Sequence, residues 1–227
     1  MQFRFIGAIS LLFALLLSGC ATPMAFTNDT DTVSKTSKPI FLMTATLRNN
    51  YRTSIQPQLV TVNVEKAAAN DSSDRINFKM DDKGKNETDS AAQGNSYLLR
   101  MELDRGEYVI RGLTSLGKSF PIIGSFFAPL HAKLKSSDSG VFYLGHVEAS
   151  VRERKENEFK AGGSFPLIDQ AVIGASGGTF DIEISDQWNK DEAVLKAKFP
   201  ALVAVSVQKA ILPPFDKAQA QEWWEKH

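Results

Sequence analysis

The chain has 227 residues, 43% of them hydrophobic and 23% charged, and its 26 basic residues equal its 26 acidic residues in number. This composition predicts a globular protein of one ordinary domain, with room for appendages. The zero net charge argues against nucleic acid as a partner, because binding phosphates needs a basic surplus.

Residues 1–19 have the parts of a secretory signal peptide. Arg4 supplies a positive charge, and an apolar stretch runs from Phe5 to Leu17. At about 13 residues this stretch suits a signal peptide and is short for a membrane-spanning helix of about 20. An uncleaved signal anchor, or an ordinary secretory signal followed by a chance cysteine, are the alternatives.

The four residues Leu17, Ser18, Gly19 and Cys20 resemble the lipobox of bacterial lipoprotein precursors. In that family the cysteine is diacylated and the chain is then cut just before it. The resemblance implies a protein held on a membrane through Cys20, since two or three acyl chains anchor a protein almost permanently. Ala21 is not the aspartate that retains many such lipoproteins in the inner membrane. The expected location is therefore the cell envelope, at the outer membrane facing the periplasm.

Residues 20–39 are predicted to be the lipidated cysteine and a flexible tether, and residues 40–227 to be the folded domain. Thr, Ser, Asp and Asn dominate the tether, which has no apolar period. Cys20 is the only cysteine of the chain. The sequence therefore excludes a disulfide, so that the domain depends on its core alone.

From Ile40 onward apolar residues recur with a period of two, which is typical of half-buried strands. The stretches with this period are 41–47, 60–64, 76–80, 97–103, 108–110, 141–151 and 180–184. They predict a mainly β fold, an antiparallel β-sandwich of about seven strands. Short helices are expected at the C-terminus, one over 190–199 and one capped by Asp216.

The segment from Arg105 to Glu153 resembles uncharacterised envelope lipoproteins with a small immunoglobulin-like or transthyretin-like sandwich. The residues that carry the resemblance are RGEYVIRGL, FFAPLHAKL and GVFYLGHVEASVRE. In that family a Pro-Gly-x-Tyr turn starts one strand, and a Tyr-Leu-Gly strand follows; here Arg105 stands at the proline position. The resemblance implies the sandwich fold and brings no catalytic residues.

Residues 174–178 match G-x-S-x-G, the pattern of a serine nucleophile at a strand–turn–helix elbow. An envelope serine hydrolase using Ser176 is therefore the alternative function. The residues that follow Ser176 read as a strand, and the only downstream histidine is His227. A glycine-rich loop between strands is the favoured interpretation.

The remaining polar candidates predict neither a metal site nor a cofactor. His146 is expected on the polar face of its strand with Glu148 and Arg152, opposite Tyr143 and Val147, as an exposed or hydrogen-bonded histidine. Asp181, Glu183 and Asp186 alternate on a strand, which is typical of a solvated face and not of a calcium site.

The stretch 120–130 is strongly apolar and contains two prolines, so it is not expected to form a central strand. It either closes an open end of the sandwich as core or is exposed and contacts a partner. Phe165 to Ile168 and the last helix would extend such a surface. The candidate partner surface consists of Phe120, Ile122, Ile123, Phe126, Phe127, Trp223 and Trp224. The sequence thus predicts a structural or protein-binding role with an unknown envelope protein as partner.

Overall fold

The structure, a computed structural model, describes residues 21–34, 37–86 and 93–226. The predicted signal peptide, the lipobox residues Leu17 to Cys20 and the terminal His227 lie outside these ranges. The strands, in chain order, are β1 (Ala21–Pro23), β2 (Ile40–Asn49), β3 (Gln58–Lys66), β4 (Arg75–Lys79), β5 (Lys85–Asn86), β6 (Asn95–Glu102), β7 (Gly106–Ser119), β8 (Ile122–Ser136), β9 (Val141–Glu153), β10 (Gly178–Ser185) and β11 (Val207–Lys209). The helices are α1 (Leu167–Ile173), α2 (Trp188–Lys198) and α3 (Lys217–Lys226).

The strands form two sheets that pack face to face. One sheet has the order β1-β4-β3-β7-β8, and the other has the order β10-β9-β2-β6-β5, with β11 also beside β9. Phe126 of the first sheet makes an edge-to-face contact with Phe180 of the second, with 6.3 Å between ring centroids. The main hydrophobic core lies between the sheets and takes residues from both.

The prediction of a mainly β fold is confirmed, whereas the antiparallel sandwich of about seven strands is wrong. Both sheets are mixed, because β2 pairs parallel to β9 and β1 pairs parallel to β4. A period of two reports which residues share a face of a strand, and it carries no information on the direction of the neighbouring strand.

A second, smaller core lies on the outer face of the β2-containing sheet. There Leu42 and Tyr143 pack against Leu195 of α2 and against Phe199. Strand β2 is consequently buried on both faces. The expectation of a half-buried strand fails here because helix α2 covers the face that would otherwise meet water.

Strand β9 contains a bulge that changes which residues share a face. Leu42 pairs with Tyr143 and Thr44 pairs with His146, so β9 has one more residue than β2 between these pairs. Gly145 has a φ of 108°, which a residue with a side chain rarely adopts. Tyr143 and His146 therefore lie on the same face, and their predicted placement on opposite faces is wrong.

In the stretch 120–130, Phe120 and Pro121 form a turn, and the other residues form the first part of β8, an edge strand paired with β7. Pro129 lies opposite Gly112, where the register of the two strands shifts. A proline is tolerated at such a position because an edge strand does not need every backbone N–H for the sheet. The expectation that this stretch is not a central strand is confirmed.

The segment predicted as a tether begins inside the fold. Ala21–Pro23 pair with β4 as β1, and the side chains of Met24 and Phe26 are buried. The N–H of Ala25 donates to the carbonyl of Arg100, and the carbonyl of Ala25 accepts from Arg100 Nε at 3.0 Å. The fold therefore begins before residue 40, where the sequence predicted the domain to start. Met24, Ala25 and Phe26 are too few residues to show an apolar period.

Candidate functional site

The hairpin turn between β7 and β8 extends beyond the paired residues of its sheet. Ser119 pairs with Ile122, which leaves Phe120 and Pro121 as the two turn residues, joined by a cis peptide bond. Because the turn lies beyond the last paired residues, its side chains have no strand beside them. Phe120 is fully exposed.

Helix α1 docks beside this turn on the free edge of β8. The amide side chain of Gln170 accepts from the N–H of Ser125 at 2.9 Å and donates to Ser125 Oγ at 3.1 Å. Ile173 lies so close to Gly124 that a Cβ on this glycine would be 2.4 Å from Ile173 Cδ1. The glycine therefore permits the helix to approach, and Gln170 satisfies a backbone donor of the strand edge.

The opposite side of α1 is also apolar and meets solvent. Together with the turn it forms what we call the apolar apex: Phe120 (100% exposed), Ile123 (52%), Phe165 (78%), Leu167 (65%), Ile168 (73%) and Val172 (38%). The two phenylalanines alone expose about 350 Å² if each ring presents roughly 200 Å². The largest apolar patch of a typical monomer is about 300–600 Å², and such patches are often functional.

The predicted partner surface divides into exposed and packed residues. Phe120 and Ile123 belong to the apolar apex, whereas Phe126 is only 1% exposed and belongs to the core. Ile122 and Trp224 pack against the same core. Phe127 contacts Trp223 of α3, with 5.7 Å between ring centroids. Of the two alternatives left open for this stretch, Phe126 takes the core, because its side chain points to the buried face of β8. Ile122, Phe127, Trp223 and Trp224 are half-buried.

Ser176 lies in the turn between α1 and β10. Its backbone N–H donates to the carbonyl of Gln170 at 3.2 Å, in the last turn of the helix. The order is thus helix, turn and strand, the reverse of a nucleophile elbow, which places the serine at the N-terminus of a helix. The loop interpretation of this motif is therefore supported by the geometry, and the hydrolase interpretation is not.

A buried polar cluster lies beneath α2 on the outer face of the β2-containing sheet. Asp191 of α2 accepts hydrogen bonds from the hydroxyl of Tyr143 at 2.6 Å and from the hydroxyl of Thr44. Thr44 Oγ1 in turn lies 2.8 Å from Nδ1 of His146. The ring of Trp188 packs on Tyr143, with 4.9 Å between centroids. All four polar side chains are buried.

Burial sets the acid–base properties of this cluster. It raises the pKa of Tyr143, and the adjacent Asp191 carboxylate raises it further. It lowers the pKa of His146 below the ordinary 6.5, against the opposing effect of Asp191. Tyr143 therefore stays protonated as a donor, and His146 is neutral near pH 7. The cluster satisfies its own polar groups, as a structural link between helix and sheet requires.

The sequence did not predict this cluster or the exposure of Val172, whereas it indicated the other five residues of the apex. The bulge at Gly145 hid the shared face of Tyr143 and His146, and nothing local marks Asp191 as buried. A single apolar residue of a short helix is ordinarily part of the core, so Val172 was not expected at the surface.

The other sequence candidates are ordinary surface groups. Asp181 forms an ion pair with Arg152 at 2.9 Å, and Asp186 forms one with Lys209 at 2.7 Å. Within the ranges that the structure describes, no group of three His, Cys, Asp or Glu residues is placed to hold a metal ion. Over the same ranges no helix has the length and apolarity needed to cross a bilayer.

No protein-family model matches the chain, and no curated protein or solved structure matches it significantly.

Proposed function

We propose that the protein is a lipid-anchored cell-envelope lipoprotein that binds another envelope protein through the apolar apex. The proposed anchor is Cys20, which follows a signal-like segment and completes the lipobox-like Leu17 to Cys20. The proposed location is the outer membrane, on the periplasmic side.

The observation that carries the binding role is the exposure of the apolar apex. The fold does not need these six side chains at the surface, because α1 is fastened to β8 through Gln170 and Ile173 on its other side. Exposing large apolar groups costs free energy that burial against a partner recovers, at about 25 cal/mol per Å². A patch of this size therefore favours association with an apolar surface.

Lipidation is tested by the Cys20→Ala variant in cells supplied with labelled palmitate. The natural protein is expected to take up label and to sediment with membranes, whereas the variant takes up none and is released or remains unprocessed. Cys20→Ser is the matched control for side-chain size. Label in either variant, or an unlabelled soluble natural protein, would refute the anchor.

Partner binding is tested separately with Ile168→Asp, which replaces one of the exposed apolar side chains of the apex by a charge. We expect this variant to be lipidated and folded but to lose association with its partner in crosslinked envelopes. The Val203→Asp variant is the control, because Val203 is 64% exposed and lies outside the apex. Equal association of both variants would refute the apex as the binding surface.

A further inference from the structure

A cavity of about 340 Å³ has walls from both sheets and lies near the start of β3. Strand β4 pairs with β3 only from Thr61 onward, so the first residues of β3 have a neighbouring strand on one side only. Across this gap the other sheet contributes β5 and the start of β6 to the walls. This volume is at the lower end of the range of small-molecule sites, which favours a small ligand over a protein partner.

The charged side chains of this cavity all have the same sign. Lys79 of β4, Lys85 of β5 and Lys118 of β7 line it, and within the part of the chain that the structure describes no carboxylate does. Lys85 forms an exposed ion pair with Asp82 at 2.6 Å. Lys79 and Lys118 form no ion pair with residues 21–34, 37–86 or 93–226. In a chain of zero net charge, three lysines around one cleft produce a local positive potential that attracts anions.

The apolar part of the lining is more buried than the three lysines. The side chains of Leu59, Met80 and Tyr97 are buried and those of Val60 and Leu116 are half-buried, whereas the lysines are exposed. Burial raises the pKa of Tyr97, so its hydroxyl stays protonated and adds no negative charge. A ligand in this cavity therefore meets apolar side chains in the interior and positive charge at the mouth.

Hydrogen bonds between β6 and the start of β3 hold the walls in place. The hydroxyl of Tyr97 donates to the carbonyl of Pro57 at 3.3 Å and accepts from the N–H of Leu59 at 2.9 Å. The side-chain amide of Asn95 donates to the same Pro57 carbonyl at 2.9 Å. The cavity is therefore formed in advance, and a ligand binds without first having to order these walls.

From these observations we infer that the cavity binds a small amphipathic anion, with a negatively charged head group on an aliphatic chain. The head group lies among Lys79, Lys85 and Lys118, and the chain lies against Leu59 and Met80. Lysine ammonium groups act as point charges without the planar fork of arginine, so carboxylate and phosphate head groups both fit. This site is independent of the proposed lipid anchor and of the apolar apex.

The test measures how far ligands protect individual lysines from reductive methylation, read by mass spectrometry. It uses the full-length protein in vesicles of phosphatidylcholine, a lipid without net charge. The probes are hexyl phosphate and hexanoate, together with inorganic phosphate and hexanol, which each lack one part of the ligand. We expect hexyl phosphate and hexanoate to protect Lys79, Lys85 and Lys118 saturably and to leave the exposed Lys135 of β8 reactive. The probe that protects at the lower concentration identifies the head group.

Both parts of the ligand should contribute measurably. Shortening hexyl phosphate to butyl phosphate should raise the half-protecting concentration about tenfold, since each buried methylene contributes up to about fourfold. The double variant Lys79→Gln/Lys118→Gln should raise the concentration that half-protects Lys85 about tenfold, because each exposed charge contributes about threefold. Lys135→Gln is the matched control and should leave that concentration unchanged. All three lysines are exposed, so these variants are expected to fold normally, which circular dichroism checks.

Four results would overturn the inference. Inorganic phosphate that protects as well as hexyl phosphate would show that the apolar wall binds nothing. Hexanol that protects as well would show that the lysines do not select an anion. The absence of saturable protection by either anionic alkyl probe would show that there is no site. An equal effect of Lys135→Gln and of the double variant would show that the anions bind lysines without regard to the cavity.

Discussion

Two regions of this molecule reverse the usual distribution of polar and apolar groups. The polar cluster under α2 buries Thr44, Tyr143, His146 and Asp191, whereas the apolar apex leaves six large apolar side chains in water. The polar groups of the first region are satisfied within the fold, because Asp191 accepts hydrogen bonds from the hydroxyls of Tyr143 and Thr44. The described residues contain nothing that covers the second region. The difference separates a structural feature, which is satisfied internally, from the surface that we propose binds a partner.

The largest effect is expected when two aspartate substitutions on adjoining elements of the fold are compared for their free energy of unfolding. Phe126→Asp buries an unpaired charge at a side chain that is 1% exposed. We expect a loss of at least about 4 kcal/mol in the free energy of unfolding, enough to unfold a marginally stable domain. Ile168→Asp, at a 73% exposed position in the first turn of α1, is expected to change it by no more than about 0.5 kcal/mol.

Urea unfolding of the soluble fragment from Ala21 onward measures both variants. A folded Phe126→Asp protein of nearly natural stability would mean that Phe126 can leave the core, and the division of the sequence-predicted surface would then be wrong. A collapsed Ile168→Asp protein would mean that the apex is part of the core and not a binding surface.

An intermediate effect is expected when the polar cluster loses its acceptor. Asp191→Ala leaves the hydroxyl of Tyr143 buried without its acceptor, whereas the hydroxyl of Thr44 can still bond to Nδ1 of His146. An unsatisfied buried donor costs about 1–3 kcal/mol, so the free energy of unfolding should fall by about 2 kcal/mol. Tyr143→Phe removes one donor and keeps the other, and it should cost about 1 kcal/mol.

The matched control is Glu192→Ala, one residue further along the same helix. Glu192 forms a half-exposed ion pair with Lys196 one helical turn away, which is worth about 0.5 kcal/mol. Thermal or urea unfolding of the three variants should give this order of effects. Equal small losses for Asp191→Ala and Glu192→Ala would show that the cluster contributes little to stability and needs another explanation.

The sequence predicts local features of this fold well and long-range ones poorly. The predicted cap at Asp216 is confirmed, since its carboxylate accepts from the N–H of Gln219 at 2.9 Å. Strands β2, β3, β6 and β9 are where the period of two places them. The parallel pairing of β2 with β9 was beyond reach, because it depends on residues about a hundred positions apart.

The site was predictable only in part, for the same physical reason. Apolar composition picked out the stretch that contains Phe120 and Ile123, but burial of Phe126 follows from the pairing of β8 with β7. The exposure of α1 depends on which of its sides docks on Gly124. The polar cluster depends on the bulge at Gly145 and on the docking of α2, neither of which has a periodic signal.

The smallest expected effect is the pH dependence that His146 gives to the polar cluster. Its folded-state pKa lies below the ordinary 6.5 because of burial. Below about pH 6.5 the unfolded chain therefore binds a proton that the folded protein does not, and the free energy of unfolding falls as the pH drops toward the lower, folded-state pKa. Above about pH 7.5 this contribution is constant.

The matched variant is His146→Asn, whose amide can replace Nδ1 as a partner of Thr44 but does not titrate. Urea unfolding of both proteins between about pH 7.5 and 5 should show a steeper loss of stability in the natural protein. Every other ionisable group is present in both proteins, so the difference between the two curves reports His146 alone. Parallel curves would mean that the pKa of His146 is the same in the folded and the unfolded protein, which contradicts the lowered pKa. A natural protein that gains stability relative to the variant as the pH falls would mean that His146 is protonated inside the fold, and the cluster would then hold a buried charge pair with Asp191. The contrast with the apex would then be a different one, because a charged cluster is stabilised by an ion pair and not by neutral hydrogen bonds alone.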